Sequence, residues 1–180
     1  MFLDAIDKAL LGGELGESAR RAMELLLRYG EVLGAARFID IASAHVDSCL
    51  YHGPSGLDFV RYLQEGGGRV RVRTTLNVTA FDLDRPGLSR VPADAVRIQK
   101  EMVEAYLKLG CLPTMTCAPY QHVIRPRPGQ HVAWAESNAV VFVNSVLGAR
   151  GDRYGDFTDI SAALTGRVPE AGLHLEENRR

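Results

Sequence analysis

Residues 110–150 read GCLPTMTCAPYQHVIRPRPGQHVAWAESNAVVFVNSVLGAR, and the predicted fold is organised around them. This stretch holds two of the three cysteines and the only tryptophan of the chain. Cys117 stands between two threonines and Pro119, a composition typical of a turn that presents a side chain. We therefore take Cys117 as the first candidate functional residue and ask how the rest of the chain surrounds it.

The second half of this stretch predicts one strand and one helix. Residues 131–135 have the composition of a short strand. Residues 136–147 are ambiguous, because their β-branched content favours a strand while their apolar residues follow helical spacing. The polar start of that segment and Gly148 at its end favour the helix.

Outward from this stretch, helices and strands alternate along the chain. Residues 38–42 predict a strand that leads into polar residues 43–47, and residues 69–78 predict a strand with polar residues at its end. The tail, LHLEENRR, is predicted as a strand or a loop. The predicted helices cover residues 1–11, 18–34, 55–65, 92–109 and 136–147, and a last helix runs from position 156 or 158 to position 164. This alternation predicts an α/β fold, in which ligands lie beyond the carboxyl ends of the strands.

The helix boundaries are predicted from capping residues. Ser18 is the predicted N-cap of the second helix. Ser55 is the predicted N-cap of the third, and Asp58 would complete a capping box with it. Glycines are predicted to end the helices, at positions 12–13, 66–68, 110 and 166.

Length and composition are those of one ordinary globular domain, with 180 residues, 46% apolar and 24% charged. The net charge of −1 argues against nucleic acid or an anionic membrane surface as a partner. No apolar run approaches the roughly 20 residues that a membrane span needs. Asp4 and Asp7, without a basic leader, argue against a signal or transit peptide. An odd count of three cysteines predicts a reducing compartment, and we expect the protein in the cytoplasm.

Cys117 has two interpretations. A lone cysteine is most often a small buried apolar residue, and the residues alone favour that interpretation. The alternative is a metal ligand or a nucleophile, which the surrounding turn residues support. Cys49 and Cys111 each precede a leucine and are predicted to be core residues. The spacing between Cys111 and Cys117 matches no common zinc motif.

The histidines supply a second group of candidates. His45 comes two residues before Asp47, at the end of a predicted strand. It is either satisfied by a backbone group or it contacts substrate and carries a proton. His52, His122 and His131 fall in predicted loops or at the edges of elements, and we expect them to be solvated.

Polar residues on the helix predicted over 136–147 have the same two kinds of interpretation. Glu136, Ser137 and Asn138 begin this helix, where free N–H groups favour an anion such as a carboxylate. The alternative is ordinary N-capping by Ser137 or Asn138. Asn144, inside the helix, needs a partner if buried, and its structural explanation is a hydrogen bond to a neighbouring strand. Residues alone therefore predict an α/β domain with a candidate thiol-centred site, and no reaction.

The sequence resembles the large subunit, or catalytic domain, of the aconitase X family. The resemblance lies in GELG (13–16), SAHVD (43–47), TTLN (74–77), PTMTCAPYQ (113–121), ESNAVVFVNSVLGAR (136–150), RYGDF (153–157) and TGRVPEAGLHLEENR (165–179). These stretches follow one another over nearly the whole chain. Family members are considerably longer, so residues 1–180 are expected to form the N-terminal part of the catalytic domain. The resemblance implies an aconitase-like layered α/β/α architecture, helical over 1–35 and with its α/β core over 36–180.

The resemblance also implies a dehydratase that uses iron or an iron–sulfur cluster. One family branch contains bacterial cis-3-hydroxy-L-proline dehydratases, and another contains archaeal phosphomevalonate dehydratases. The forms TCAPYQ and RYGDF look more like the hydroxyproline branch, which is the preferred expectation. Iron can bind a departing hydroxyl as a Lewis acid, and a thiolate is a natural iron ligand, so Cys117 is the expected metal ligand. The other metal cysteines and the serine expected to act as base belong to the family's C-terminal half.

A small hydroxy-acid substrate and two protein partners follow from the same resemblance. His45 is the candidate catalytic residue. The residues expected to hold substrate are Ser43, His45, Thr75, Asn77, Glu136, Ser137, Asn138 and Arg150. The expected partners are the missing C-terminal half and the family's small subunit, or swivelling domain. A missing half also predicts an exposed apolar patch where that half docks.

One departure from the family and two other functions complete the expectations. The family usually has threonine after Gly-Ala-Arg, and this chain has Gly151, which puts affinity or activity in doubt if that hydroxyl contacts substrate or orients Arg150. A thiol enzyme would use Cys117 as nucleophile with His45 or His122 as base. A non-catalytic remnant would only bind a partner chain.

Overall fold

A four-stranded parallel sheet lies at the centre of the protein, in a computed structural model that describes residues 1–47, 53–88 and 90–179. The helices are α1 (Ala5–Leu11), α2 (Glu17–Val32), α3 (Pro54–Glu65), α4 (Ala93–Lys108), α5 (Pro119–His122), α6 (Ser137–Ser145) and α7 (Asp156–Thr165). The strands are β1 (Phe38–Asp40), β2 (Ser43–Val46), β3 (Arg73–Leu76), β4 (His131–Trp134), β5 (Arg150–Gly151) and β6 (Arg167–Pro169). The α/β prediction is therefore confirmed.

The strand order in the central sheet is β3-β2-β4-β5, and the paired strands run parallel. His45 on β2 lies opposite Thr75 on β3 and Trp134 on β4. Because neighbouring strands point the same way, the residues that follow β2, β3 and β4 leave the sheet at the same end, the carboxyl end of its strands. The candidate site forms at this end of the sheet.

The two faces of the sheet are covered by different helices. Ala44 on β2 and Ala133 on β4 belong to the main core, which they share with α3, α4 and α7. Val132 and Trp134 alternate with Ala133 along β4 and pack in a smaller core against α6. Helices on both faces make this the layered α/β/α architecture expected from the family resemblance.

A second, two-stranded sheet joins a strand near the N-terminus to one near the other end of the chain. β1 forms within the strand predicted over residues 38–42, but it pairs antiparallel with β6 and does not join the central sheet. The central strand is β2, which begins at Ser43. The reason is non-local, since the partner of β1 lies more than a hundred residues away in sequence and gives no local signal.

Three predicted helix caps are wrong. The N-cap of α2 is Gly16, whose φ of 98° favours glycine, and Ser18 is instead the buried second residue of the helix. The Ser18 hydroxyl donates a 2.7 Å hydrogen bond to the Leu63 carbonyl and so joins α2 to α3. α3 begins at Pro54 after Gly53, and no side chain caps it, so neither Ser55 nor Asp58 has the predicted role.

Other boundaries were partly predicted. The helices at 92–109, 136–147 and 156–164 are confirmed as α4, α6 and α7, and Gly166 ends α7 in the left-handed conformation. The strand predicted over 69–78 is limited to β3. α5, β5 and β6 were not predicted, and the tail forms two 3-10 turns rather than a strand or loop. Within the described ranges no helix is long and apolar enough to cross a membrane.

A buried arginine fastens the N-terminal helix to the rest of the fold. Arg167 donates to Asp7 at 2.9 Å and to Asp40 at 2.6 Å, and it also forms an ion pair with Asp4. The side chains of Arg167 and Asp7 are only 4% and 1% exposed. Burial alone lowers the pKa of Arg167, but the bonds from the three aspartates outweigh it and raise that pKa.

Replacing Arg167 by alanine is expected to lower the free energy of unfolding by about 3–5 kcal/mol, because it leaves the buried Asp7 carboxylate without its partner. Urea denaturation followed by circular dichroism measures the change. Arg28→Ala is the matched control, since Arg28 is 85% exposed and lies 4.0 Å from Glu31, so its loss is expected to cost less than about 0.5 kcal/mol. Equal and small effects of both changes would show that Arg167 does not fasten α1.

Candidate functional site

The loop that carries Cys117 is held against the edge strand β3. Leu112 forms an isolated parallel bridge with Thr75. The Thr114 hydroxyl then donates to the Leu76 carbonyl at 2.8 Å. The two threonines before Cys117 thus have different uses, because Thr116 accepts the Ala118 N–H at 3.1 Å and shapes the turn that follows. The loop therefore places Cys117 near the carboxyl end of β3.

The backbone of this loop is strained two residues before Cys117. Met115 has a φ of 43°, and among the described residues it is the only one other than glycine with a positive φ. A residue with a side chain pays a conformational cost there that the surrounding contacts must hold in place. The prediction of a turn that presents Cys117 agrees with this geometry.

One amide joins the ends of three strands. Asn77 follows β3, and its Nδ2 donates to Glu136 Oε2 at 2.6 Å and to Asp47 Oδ1. Asp47 follows β2, and Glu136 comes shortly after β4. The group that these two carboxylates share is an uncharged amide, so the strand-end cluster of Asp47, Asn77 and Glu136 has a negative potential.

A third carboxyl group, on α7, holds the backbone of this cluster. Asp159 on α7 is fully buried, and its Oδ2 accepts the Asp47 backbone N–H at 2.8 Å. Burial raises the pKa of Asp159 well above its ordinary value, although N–H bonds from Asp47 and Ile160 act in the opposite direction. Asp159 therefore fixes the backbone at the end of β2.

The Cys117 thiol is half-buried beside this cluster. Burial raises its pKa first, the Glu136 and Asp47 carboxylates raise it further, and a hydrogen bond from the Val78 N–H acts in the opposite direction. A nucleophilic cysteine needs a lowered pKa, so this environment disfavours the thiol-enzyme alternative. A thiol beside two carboxylates is instead an environment that favours a cation.

The cluster does not by itself complete a metal site. Within the described ranges no group of three or more histidine, cysteine, aspartate or glutamate side chains is arranged to hold a metal ion. The chemistry of Cys117 fits one soft ligand of an iron centre, and the rest of a ligand set would have to come from elsewhere. Cys111 lies in the main core as predicted, while Cys49 and His52 lie outside the described residues.

His45 is buried within the sheet, on the face that carries Trp134. Its Nδ1 lies 2.8 Å from the Thr75 hydroxyl, and its Nε2 has no hydrogen-bond partner in the described part of the chain. The Thr75 hydroxyl also lies 3.4 Å from the Ala44 carbonyl. If that hydroxyl donates to Ala44, the Nδ1 of His45 carries the ring proton and Nε2 is left as an acceptor. Burial lowers the pKa of His45 to about 4, so the ring is neutral at pH 7.

Of the other predicted substrate residues, Asn138 contacts the loop of Cys117, whereas Ser137 and Ser43 bond other residues of the chain. Asn138 is close, since its Nδ2 donates to the Cys117 carbonyl at 2.9 Å. The Ser137 N–H is already bonded to Glu136 Oε1 at 3.0 Å, so a carboxylate of the chain itself occupies the start of α6. Ser43 is buried at the beginning of β2, where its hydroxyl accepts the Trp134 ring N–H at 3.2 Å.

Arg150 is not brought to the cluster. It lies opposite His131, at the beginning of β4, and therefore at the other end of the sheet. Its guanidinium donates to the His174 carbonyl at 3.1 Å and pairs with Glu176. Arg150 therefore forms its ion pair away from the strand-end cluster.

Gly151 is a packing position. A Cβ there would lie 3.1 Å from Val132 Cγ2 and 3.4 Å from Val143 Cγ1, so a side chain would crowd the core between β4 and α6. It would not face the strand-end cluster. Asn144 bonds this same residue, donating to the Gly151 carbonyl at 2.7 Å, which confirms the hydrogen bond to a neighbouring strand as the explanation for Asn144.

A second histidine group was missed by the sequence analysis. His131 is half-buried rather than solvated, and its Nδ1 lies 2.9 Å from Nδ1 of His174. The other ring nitrogen of His174 bonds the Tyr154 hydroxyl. Burial, together with the nearby charges of His131, Arg179 and Arg150, lowers the pKa of His174 to about 3. His122 is exposed, as predicted.

Two residues of the candidate site were not among the predicted substrate contacts. Asp47 carried a signal, since it directly follows a strand that ends in polar residues. Asp159 carried a weaker one, because it is a carboxylate on the buried face of α7 among alanine, isoleucine and leucine. Only the tertiary fold shows that the two meet.

The comparisons with known proteins agree over the whole chain. The family model for the first domain of aconitase X matches residues 1–177. The cis-3-hydroxy-L-proline dehydratase of Pseudomonas aeruginosa is 52% identical over 99% of this chain and 31% of its own length. The enzyme of the same name from Hypocrea jecorina is 47% identical over 96% of this chain and 29% of its own length. The phosphomevalonate dehydratase large subunit of Methanothermobacter thermautotrophicus is 41% identical over 100% of this chain and 46% of its own length.

A solved structure has the same fold. The holo form of Thermococcus kodakaraensis aconitase X superposes with a TM-score of 0.90 at 40% sequence identity. The match covers 100% of this chain and 45% of that one. This chain therefore spans less than half the length of each relative named here.

The His45 ring is expected to titrate with a pKa of about 4 rather than 6.5, because its burial penalises the charged form. Its neutral state then contributes stability that is complete above about pH 6.5 and is lost as the pH falls from there to about 4. NMR titration of the ring protons, with His45→Gln to assign the resonance, measures this. A midpoint near 6.5 would contradict the buried, neutral ring.

Proposed function

The chain belongs to the aconitase X family, and from this premise we propose that it forms part of a dehydratase that removes water from a small hydroxy acid. The observation that carries the proposal is the convergence of Cys117 with Asp47, Asn77 and Glu136 at the ends of three parallel strands. Open α/β sheets bind their ligands at such an edge. The family relation supplies the class of reaction, and the cluster supplies a place for it.

We propose cis-3-hydroxy-L-proline as the substrate. The relatives of that name are 52% and 47% identical to this chain, whereas the archaeal phosphomevalonate dehydratase subunit reported above is 41% identical. Phosphomevalonate dehydration is the second candidate, because a phosphomevalonate dehydratase large subunit also matches 100% of this chain. A direct comparison of the two substrates decides between them.

We propose iron, as an ion or in an iron–sulfur cluster, as the cofactor. When bound, iron would act as a Lewis acid on the hydroxyl that leaves as water. Cys117 would hold it through sulfur, and the raised thiol pKa means that the proton must be displaced by the metal near neutral pH. The Asp47 and Glu136 carboxylates would favour that cation through their charge.

The polar residues of this chain would hold and orient the substrate. The neutral His45 ring has a buried Nε2 without a hydrogen-bond partner in the described part of the chain, and this nitrogen could accept a hydrogen bond from a hydroxyl or ammonium group of a substrate that reached it. Thr75 fixes the orientation of that ring through its 2.8 Å contact. Asn77 holds the two carboxylates in place, so that they need not reorganise when substrate binds.

The chain would act within a larger assembly. It corresponds to 31% of the bacterial relative and 46% of the archaeal large subunit, and it provides one thiol to the proposed metal site. The remaining ligands and the base would come from the portion of the family's polypeptide not represented here, and the family's small, swivelling domain would be a further partner. The isolated chain is then expected to be inactive alone.

Cys117→Ala is expected to abolish iron binding, because it removes the thiol beside the two carboxylates. The chain co-expressed with the remainder of the bacterial relative would be reconstituted with iron and sulfide without oxygen, and the iron content and visible absorption of the assembled protein measured. Cys111→Ala is the matched control, since Cys111 is buried in the main core and is expected to leave the iron content unchanged. Dehydration of both candidate substrates would be assayed after co-expression with the remainder of the bacterial relative.

Each outcome has a clear meaning. Iron lost only in Cys117→Ala, with turnover of hydroxyproline in the assembled protein, supports the proposal. Iron retained in Cys117→Ala would exclude Cys117 as its ligand. An assembled protein with neither iron nor turnover would favour a non-catalytic remnant that only binds a partner chain.

A further inference from the structure

We propose that the outward face of α6, formed by Ser137, Asn138, Val141, Phe142 and Val146, is the docking surface for the remainder of the family's large-subunit polypeptide. These five residues line a shallow groove. The inference rests on the proposed function in one respect, namely that this chain works together with such a polypeptide. The docked segment would lie beside Cys117 and complete the candidate site.

The first argument is that α6 is apolar on both sides. Ala139, Val140 and Val143 face the smaller core, while Val141 and Val146 are 64% and 63% exposed. A helix at a free surface normally carries polar or charged residues on its outer side, and one that is apolar all round is normally covered. The outer side of α6 thus exposes valines next to uncharged polar residues, with no charged side chain on the helix itself.

The second argument is the lack of charge along this helix. From position 137 to position 149 the sequence SNAVVFVNSVLGA contains no aspartate, glutamate, lysine or arginine. In contrast, α2 covers its outer side with ion pairs of Glu17 and Glu24 to Arg20 and Arg21. The two helices therefore differ in the way expected of a covered helix and a solvent-facing one.

The third argument is continuity with the candidate site. The Asn138 amide, on the proposed docking surface, donates to the Cys117 carbonyl at 2.9 Å. Phe142 stacks on Tyr120, with ring centroids 3.9 Å apart, and Tyr120 lies three residues after the thiol. A segment that covers α6 would therefore come next to Cys117, where the described residues leave the proposed metal ligands incomplete.

The length of the relatives selects the occupant. This chain covers 45% of the solved aconitase X chain, so more than half of that polypeptide must pack elsewhere in the fold. A second copy of this chain on α6 would bury the same apolar groups but would bring no new type of ligand to Cys117. The remainder of the polypeptide would both cover the apolar residues of α6 and supply the missing ligands beside Cys117.

The test is co-expression of this chain with the remainder of the Pseudomonas aeruginosa relative, followed by affinity purification. The paired change Val141→Lys and Val146→Lys is expected to reduce the co-purified remainder at least tenfold, because it places two charges on the docking surface. Val32→Lys is the matched control, since Val32 is 84% exposed at the end of α2 and its change is expected to leave co-purification unaltered. The denaturation midpoint of each isolated chain checks that it folds, and Val141→Ser with Val146→Ser replaces the lysine pair if that pair impairs folding.

The results separate this inference from the proposed function. Loss of co-purification only in the α6 variants supports the docking surface, whether or not the assembled protein turns over substrate. Unaltered co-purification in those variants, equal loss with Val32→Lys, or no complex with the unmodified chain would overturn it. Self-association of the unmodified chain that is abolished by the α6 changes, without binding of the remainder, would overturn it in favour of a second copy.

Discussion

The candidate site depends on one amide that bridges two carboxylates. Asn77 donates from a single nitrogen to Asp47 and Glu136, and each of these three residues lies after a different strand of the parallel sheet. The arrangement is available only because β2, β3 and β4 point the same way, so that residues far apart in sequence leave the sheet at one edge. Asp159 holds the end of β2 from beneath, and the loop at 112–116 holds Cys117 against β3. The sheet thus gathers negative charge around a thiol.

The two faces of the sheet carry different sets of residues. The face toward α3, α4 and α7 carries the larger apolar core, and the ion pairs of Arg167 attach the N-terminal helix to the same body. The opposite face carries His45, Thr75 and Trp134 in one row across three strands. α6 covers only part of this second face and exposes apolar side chains of its own. His45, Thr75 and Trp134 are themselves fully buried, so the apolar residues that remain exposed on this side of the sheet belong to the outer surface of α6.

Much of the site could be predicted from the sequence because it lies at the ends of elements that have local signals. His45, Thr75, Asn77, Glu136 and Cys117 all belong to short polar stretches next to strands or turns, and the resemblance to a family gave them a role. What the sequence could not give is non-local. β1 forms within the predicted strand at 38–42 but pairs with β6 instead of joining the central sheet, and Ser43 begins β2 rather than following a strand of that sheet. β5 has only two residues, too few for a pattern, and its register is what places Arg150 at the far end of the sheet.

The most direct test of the strand-end site is to locate iron in the assembled protein. A chimera in which this chain replaces the matching part of the Pseudomonas aeruginosa relative would be reconstituted with iron and crystallised. An anomalous difference map recorded at the iron absorption edge then shows the metal. The account predicts a peak within bonding distance of Cys117 sulfur, at the edge of the sheet marked by Asp47, Asn77 and Glu136. A peak at another place, with the Cys117 side chain turned away from it, would contradict the account.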